Sequence, residues 1–541
     1  MKLQELLNEN FSNIVIQCHN APDADALASG YAVYCYLKQH GKRVRMIYSS
    51  PKDSEIHIQK SNLLLMIKDL EIPIEYVSSL EEEPDLLLLV DCQYKEKNVR
   101  EFCGKTMAVI DHHRVNRPEN LPKMQEIRDG YGSCSTIIWD MLLEADADLG
   151  KDPKVATALY YGLYTDTTEL EELCHPKDMD LVDAVRFCCN DDMLFQWKCH
   201  NLALLEMKSA GQALSDYDYY KEEQFAIMEM VGEQGKYLDQ NLLGVVSDLL
   251  IRVDGVDACI AFCEQEDCFR LSIRTCTREV LAVDLIRFVT SGLGGGGGRS
   301  KRKAGGSLEK EKLIALYQSW YGYLPTNEKQ VRDLVHHLLA DRMKDYYKSQ
   351  EVFYSGREET VQKIRLPEMQ IYEKRTDIVL GYIPATKLYQ EGTIIKVRTL
   401  EGDAVEKIEE DTYLLFGVEG EPYTNRKSFF EKQYVTCEKS YQFSTEYPPR
   451  ITAADRGDGS GVQEPISLEM LQSLVSTCSP KAGHKIFARP LTCRAKVFSP
   501  YREDYLLGEP GDYLVANAQT PKKVHIVKKD IFPKLYERKQ V

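Results

Sequence analysis

No apolar run approaches the ~20 residues a membrane-spanning helix requires, and Met1 to Glu9 lack the apolar core of a secretory signal. There is no excess of positive charge: 68 Lys and Arg stand against 84 Asp and Glu, a formal net charge of -16. That balance argues against a protein that holds duplex nucleic acid by bulk electrostatics. A small anionic substrate stays open, because bound cations can reverse the sign locally. The 16 Cys residues form no paired framework, and no Cys-x-x-Cys with a partner pair occurs. Disulfide scaffolding and a structural zinc site therefore lack support, and a reduced cytoplasmic setting is expected.

At 541 residues the chain is too long for one core, so two or three domains are expected. From residue 1 to about 190, short apolar runs alternate with helical patterns. Asn13 to Gln17, Arg43 to Tyr48, Asp85 to Val90 and Met107 to Ile110 read as strands. Ala26 to His40 and Ile56 to Ile67 read as helices. This is the βαβ rhythm of a doubly wound parallel sheet, an α/β fold. Residues 191–215 read as a helical connector. A smaller α/β domain follows over 216–349, with strands at Ala258 to Cys263 and Cys268 to Arg274, and helices at Val280 to Val289 and Glu328 to Tyr347. Residues 350–541 read as β-rich. There Asp411 to Tyr434 and Gly511 to Tyr536 share Phe, Lys and Tyr at matching offsets, which suggests two related small modules.

Four segments of the first domain end in polar clusters, each placed by the pattern at a strand end: His19-x-x-x-Asp23-x-Asp25, Asp91, Asp111-His112-His113, and Gly162 to Asp166. In an open parallel sheet the carboxyl ends of the strands converge on one crevice, so these residues can meet. His19, Asp23, Asp25, Asp91, His112 and Asp166 are candidate metal ligands. Their oxygen and nitrogen donors suit Mn²⁺ or a similar ion better than a soft metal. Six ligands exceed what one ion needs, and a shared carboxylate would hold two ions about 3.5–4 Å apart. Asp91, alone on its strand, is the natural bridge. Taken singly, Asp23 or Asp25 could merely cap the following helix.

The order of these motifs resembles the DHH phosphoesterase family. The resemblance implies that His19 and Asp23 bind one divalent cation, Asp25, His112 and Asp166 the other, and Asp91 both. It also implies that His113 faces the substrate phosphate and Asp111 orients its neighbours. The second domain is similar to the family's DHHA1 domain through Leu271-Ser272-Ile273-Arg274, Asp284-Leu285-Ile286 and the glycine-rich stretch ending Lys303-Ala304-Gly305-Gly306. Arg274, Gly296, Gly297, Gly298, Arg299, Lys301 and Gly305 are the substrate contacts so implied. Glycines let backbone amides approach phosphate closely. A flexible tether is the competing reading of the same glycines. Where the family usually has Gly-Gly-Gly-His, this chain has Arg299-Ser300.

The members most resembled are nano-RNases and phosphoadenosine-phosphate phosphatases. The expectation is a Mn²⁺-dependent phosphoric ester hydrolase, an oligoribonuclease-like enzyme acting on short oligonucleotides or nucleotide phosphoesters through in-line attack by a metal-bound hydroxide. The alternatives are hydrolysis of cyclic or linear dinucleotides, of pyrophosphate or of polyphosphate, and, outside catalysis, a nucleotide-binding scaffold. No membrane or duplex DNA partner is expected, and a homodimer stays open.

Overall fold

The computed structural model describes the chain apart from residues 52–56, 97, 116, 149–151, 200–206, 209, 212–213, 216, 233–237, 239–240, 278–279, 299–300, 349–350, 400–401, 419, 421, 444–446, 454–464, 484, 499–504 and 539–541. The N-terminal domain contains strands β1 (Asn13–Gln17), β2 (Arg43–Tyr48), β3 (Ile74–Tyr76), β4 (Leu86–Val90), β5 (Thr106–Asp111) and β6 (Met124–Ile127). They form a wholly parallel sheet in the order β3-β2-β1-β4-β5-β6. Every residue of β4 is buried. Its alternate side chains enter two cores: Leu86, Leu88 and Val90 join Ile14, Ile16 and Ile110, while Leu87 and Leu89 join Val15, Ile47 and Val109. The helices are α1 (Ala24–Gln39), α2 (Ser61–Leu70), α3 (Cys134–Glu144), α4 (Pro153–Asp166), α5 (Pro176–Val185) and α6 (Asp191–Cys199). Trp197 of α6, expected within a connector, is buried in the first core and donates to Asp69 Oδ2 at 2.9 Å.

Strand order reverses between β1 and β4, which neighbour each other while their successors depart in opposite directions. In open α/β sheets ligands bind at that crevice. Here His19 follows β1 and Asp91 follows β4 at its mouth.

The second domain is a mixed sheet of β7 (Asp218–Tyr220), β8 (Phe225–Met230), β9 (Ala258–Glu264), β10 (Cys268–Thr275), β11 (Gly294–Gly297) and β12 (Lys303–Glu309), ordered β11-β12-β10-β9-β8-β7. Helix α7 (Asn241–Leu250) covers one face, and α8 (Ala282–Thr290) and α10 (Glu328–Lys348) cover the other; α9 (Lys310–Tyr321) lies between α8 and α10 in the chain. The glycine-rich stretch is neither loop nor tether, as the sequence suggested, but edge strand β11. A Cβ at Gly294 would collide with the Ser307 carbonyl and one at Gly296 with Ile286, whereas Gly295 and Gly297 face open space. Glycine at 294 and 296 is thus a packing requirement.

The C-terminal region repeats one order of elements twice. The first copy runs β13 (Glu351–Tyr354), α11 (Glu358–Lys363), β14 (Gln370–Lys374), β15 (Leu380–Pro384), β16 (Ile394–Thr399), β17 (Gly402–Lys407), β18 (Thr412–Phe416), β19 (Pro422–Arg426), α12 (Lys427–Gln433) and β20 (Tyr434–Cys437). The second runs β21 (Arg450–Ala453), α13 (Leu468–Leu474), β22 (Ser476–Pro480), β23 (Lys485–Pro490), β24 (Ala495–Phe498), β25 (Tyr505–Gly508), β26 (Tyr513–Asn517), β27 (Val524–Val527), α14 (Phe532–Leu535) and β28 (Tyr536–Arg538). Their five-stranded sheets, β19-β18-β15-β22-β20 and β27-β26-β23-β14-β28, have equivalent orders, but each borrows one strand from the other copy. β22 of the second copy completes the first sheet and β14 of the first completes the second, so neither copy closes alone.

Candidate metal centre

Asp23 caps α1: its Oδ1 accepts from the amides of Asp25 and Ala26 at 3.1 and 3.0 Å. The same oxygen lies 3.8 Å from His19 Nε2, so capping and site membership coexist. Asp25 points into the interior, where its carboxylate accepts from the amides of Cys134 (2.7 Å) and Ser135 (2.9 Å) at the start of α3, and from the Ser135 hydroxyl. A helix N-terminus suits that buried negative charge. Asp91, directly after β4, adopts a left-handed φ of 60°. Such a backbone costs about 1–3 kcal/mol and persists where its surroundings impose it.

Asp91 stands between two groups of ligands. Its Oδ2 is 3.8 Å from His19 Nε2, and its Oδ1 is 3.3 Å from His112 Nε2. His112 Nε2 also lies 3.1 Å from Asp166 Oδ2 and 3.7 Å from Asp25 Oδ2. The structure thus brings His19, Asp23 and Asp91 together, and Asp25, His112 and Asp166, with donor atoms within 4.8 Å in each group. Asp166 departs from its expected position at a strand end: it is the last residue of α4. Gly162, one helical turn earlier, permits the approach, because a Cβ there would strike Ser135 Oγ and sit 3.0 Å from Asp25 Oδ1.

Protons are fixed by acceptors around the imidazoles. His112 Nδ1 faces the Tyr131 carbonyl at 3.1 Å, so Nδ1 carries the proton and Nε2 offers a lone pair to the site. His113 Nδ1 donates to Asp111 Oδ1 at 2.7 Å, leaving Nε2 outermost on a side chain 41% exposed. Asp111 also accepts from Gln93 Nε2 at 2.8 Å and from the His112 amide at 2.9 Å. Against the opposing effect of burial, these contacts keep Asp111 below the ordinary carboxylate range.

The remaining carboxylates carry unbalanced charge. Burial, then the charges of Asp91 and Asp166, pushes Asp25 well up; burial likewise raises Asp91 despite His112 beside it. Burial would lower His19, but the hydrogen bond and charge of Asp23, joined by Asp91 and Asp166, lift it to about 9. Among the described residues Asp91 Oδ1 is buried without a hydrogen-bond donor, with His112 Nε2 at 3.3 Å and His113 Nδ1 at 3.7 Å beside it. A buried anionic oxygen left unpaired costs several kcal/mol unless something cationic reaches it. The donor set therefore fits divalent cations. The bordering thiols Cys18, Cys92 and Cys134 are all pushed up, first by burial, and stay neutral, so the set is oxygen and nitrogen, the preference of harder ions.

A family model described as DHH family, N-terminal domain, matches residues 13–163. Residues 13–163 form a DHH-family domain. The matched span carries five of the six sequence-predicted ligand positions, and Asp166 lies just past it. A probable manganese-dependent inorganic pyrophosphatase of Streptococcus thermophilus is 28% identical over 162 residues, 30% of this chain and 50% of that one. The cyclic-di-AMP phosphodiesterase GdpP of Bacillus subtilis is 23% identical over 277 residues, 49% and 41% respectively. Among solved structures, an exopolyphosphatase-related protein from Bacteroides fragilis is 16% identical, with a TM-score of 0.46, covering 64% of this chain and 96% of that one. The chain spans about half the length of the curated relatives it matches.

The second domain meets the DHH domain through the segment after Asp166. Thr168, Glu169 and Leu170 have consecutive positive φ values of 53°, 62° and 70°. Glu172 Oε1 then accepts from the Arg302 amide at 2.7 Å, which sets the start of β12 beside that segment. Among the expected substrate contacts, Gly296, Gly297 and Gly305 pair within β11 and β12, Gly298 follows β11, Lys301 is exposed, and Arg299 lies outside the described residues. Arg274 is already engaged: its guanidinium bonds Asp248 Oδ1 at 2.6 Å, Ser272 Oγ at 3.0 Å and the Ile273 carbonyl at 3.0 Å.

Sequence reasoning missed Gln93, Ser135, His175 and Asp178. Asp178 is fully buried and accepts from the amides of Gly132, Cys174 and His175 and from Thr136 Oγ1. It ties the loop that holds His112 to the start of α5. The local signal was the helix start His175-Pro176-Lys177-Asp178, a capping box with an unusual cap.

Proposed function

We propose that the chain is a Mn²⁺-dependent phosphoesterase that hydrolyses short oligonucleotides or nucleotide phosphoesters. The observation that carries this reading is Asp91, whose two oxygens face two separate His/Asp groups while one of them has no hydrogen-bond donor among the described residues. Two divalent ions would be held by His19, Asp23 and Asp91 on one side and by Asp25, Asp91, His112 and Asp166 on the other. When bound, such ions supply charge neutralisation for phosphoryl oxygens and Lewis acidity toward water. The chain's own groups do the rest. The Tyr131 carbonyl keeps a lone pair on His112 Nε2. Asp111 keeps a proton on His113 Nδ1 and orients that ring so that its exposed edge meets the substrate phosphate.

The substrate's other end would lie along β11. The hairpin joining β11 to β12 ends beside the segment after Asp166, and Gly295 and Gly297 leave its backbone open. Lys301 is an exposed cation of that hairpin; Arg274, committed to Asp248, would act by shaping the strand. A second reading, hydrolysis of pyrophosphate or a cyclic dinucleotide, is favoured by what the two curated relatives are named for. Incubation with Mn²⁺ and, in parallel, a dinucleotide, a cyclic dinucleotide, phosphoadenosine phosphate and pyrophosphate separates the readings by product. The dinucleotide or phosphoadenosine phosphate should be consumed fastest, and Asp91→Ala should consume none. Hydrolysis of pyrophosphate alone would select the second reading, and no hydrolysis of any would overturn both.

A further inference from the structure

The C-terminal region packs against the rear of the metal centre through a short chain of rings. His112 Nδ1 is held by the Tyr131 carbonyl. The Tyr131 ring stacks on His175 with centroids 4.3 Å apart and planes at 11°. His175, buried at the N-cap of α5, meets the edge of Tyr447 from the C-terminal region at 6.0 Å and 89°. The Tyr447 hydroxyl donates to Asp180 Oδ2 at 3.0 Å, and Arg398 and Arg450 bond Asp180 Oδ1 at 2.9 Å each. Asp180 lies on α5, so the helix that presents His175 is clamped by the C-terminal region.

We propose that Tyr447 and His175 are positioning residues for the metal centre: the docked C-terminal region braces Tyr131, and Tyr131 sets the ring orientation and tautomer of His112. The physical basis is that a metal-binding imidazole depends on the partner of its other nitrogen, and losing such a partner typically weakens metal affinity about 10- to 100-fold. Here that partner is a backbone carbonyl. A carbonyl cannot be deleted by substitution, but its position is set by the ring attached to the same residue and by the Asp178 carboxylate on the next amide. His175 serves the helix as well, since its Nδ1 accepts from the Lys177 amide at 3.1 Å. Bracing and capping are therefore separable: phenylalanine keeps the ring and removes the cap.

This inference rests on the metal-binding reading above. The test is calorimetric titration of the full chain with Mn²⁺, together with amide exchange across residues 130–136, for wild type, Tyr447→Ala, His175→Ala, His175→Phe and Asp91→Ala. Tyr447→Ala and His175→Ala should bind Mn²⁺ about 10- to 100-fold more weakly and exchange faster in that segment, while His175→Phe stays near wild type. Wild-type affinity in both alanine variants, with Asp91→Ala inactive in binding, would overturn the brace alone. Equal losses in His175→Phe and His175→Ala would also overturn it, because the cap would then be responsible. If Tyr447→Ala does not fold, the two His175 variants still decide. Absence of Mn²⁺ binding by wild type would overturn the metal centre itself, and the brace with it.

Discussion

Asp91 and Asp180 are both buried aspartates of the N-terminal domain, and their surroundings differ in kind. Asp180 is saturated by Arg398, Arg450 and Tyr447, all from the C-terminal region. Asp91 faces other carboxylates and three imidazoles, adopts a left-handed backbone and keeps an oxygen with no hydrogen-bond donor among the described residues. Arginines are the ordinary partners of a structural carboxylate. Where acids cluster without them, the folded state carries repulsion that protons or a bound cation must relieve. The difference teaches which buried acid is built to hold the chain together and which to hold something else.

Substitutions should separate the two. The largest effect is expected for Asp91→Ala, which should lower phosphoesterase activity by well over about 100-fold, beyond what losing an outer partner of a ligand costs. The thermal midpoint of the metal-free protein should hold or rise, since repulsion is removed; a large fall would place Asp91 with Asp180 as a structural group. Asp180→Ala should act first on stability, and on metal affinity only through the loosened brace. Removing the carboxylate that Arg398, Arg450 and Tyr447 share, and leaving buried Arg398 with the exposed Asp183 at 2.8 Å, should cost about 3–5 kcal/mol in denaturant unfolding, with unchanged stability contradicting its role. Next in size, Mn²⁺ at 100 times its Kd should stabilise wild type by roughly 2.7 kcal/mol, seen as a concentration-dependent midpoint that Asp91→Ala lacks. The smallest effect belongs to the seam between the DHH and second domains, where Arg252 and Glu169 pair at 3.1 Å in solvent. Arg252→Ala should cost at most about 1 kcal/mol, and a larger loss would make that seam as firm as the Asp180 contact.

The contrast also explains what the sequence disclosed. β1 and β2 have the bounds that the apolar runs predict, β4 differs by one residue and β5 by one at each end, because strands covered on both faces are written as continuous apolar runs. β3, three residues with a half-buried pattern, leaves no such trace. Asp166 was found by its spacing from Gly162 but placed at a strand end, because the apolar run before it suits helix and strand equally. Five of the six ligand positions follow from strand ends converging at a switch point. Asp178, His175 and Asp180 were invisible for the opposite reason: their partners are distant amides, a ring and two arginines, which no local pattern announces. The strand exchange between C-terminal copies is likewise a long-range pairing. Only the recurrence of Phe, Lys and Tyr around α12 and α14 hinted at it.

The central claim is that Asp91 is shared between two cation sites. Calorimetric titration of wild type and Asp91→Asn with Mn²⁺ tests it most directly. Two ions per wild-type chain, and loss of both sites together in a variant that still unfolds cooperatively, is the predicted result. Binding of two ions by Asp91→Asn at wild-type affinity would contradict it.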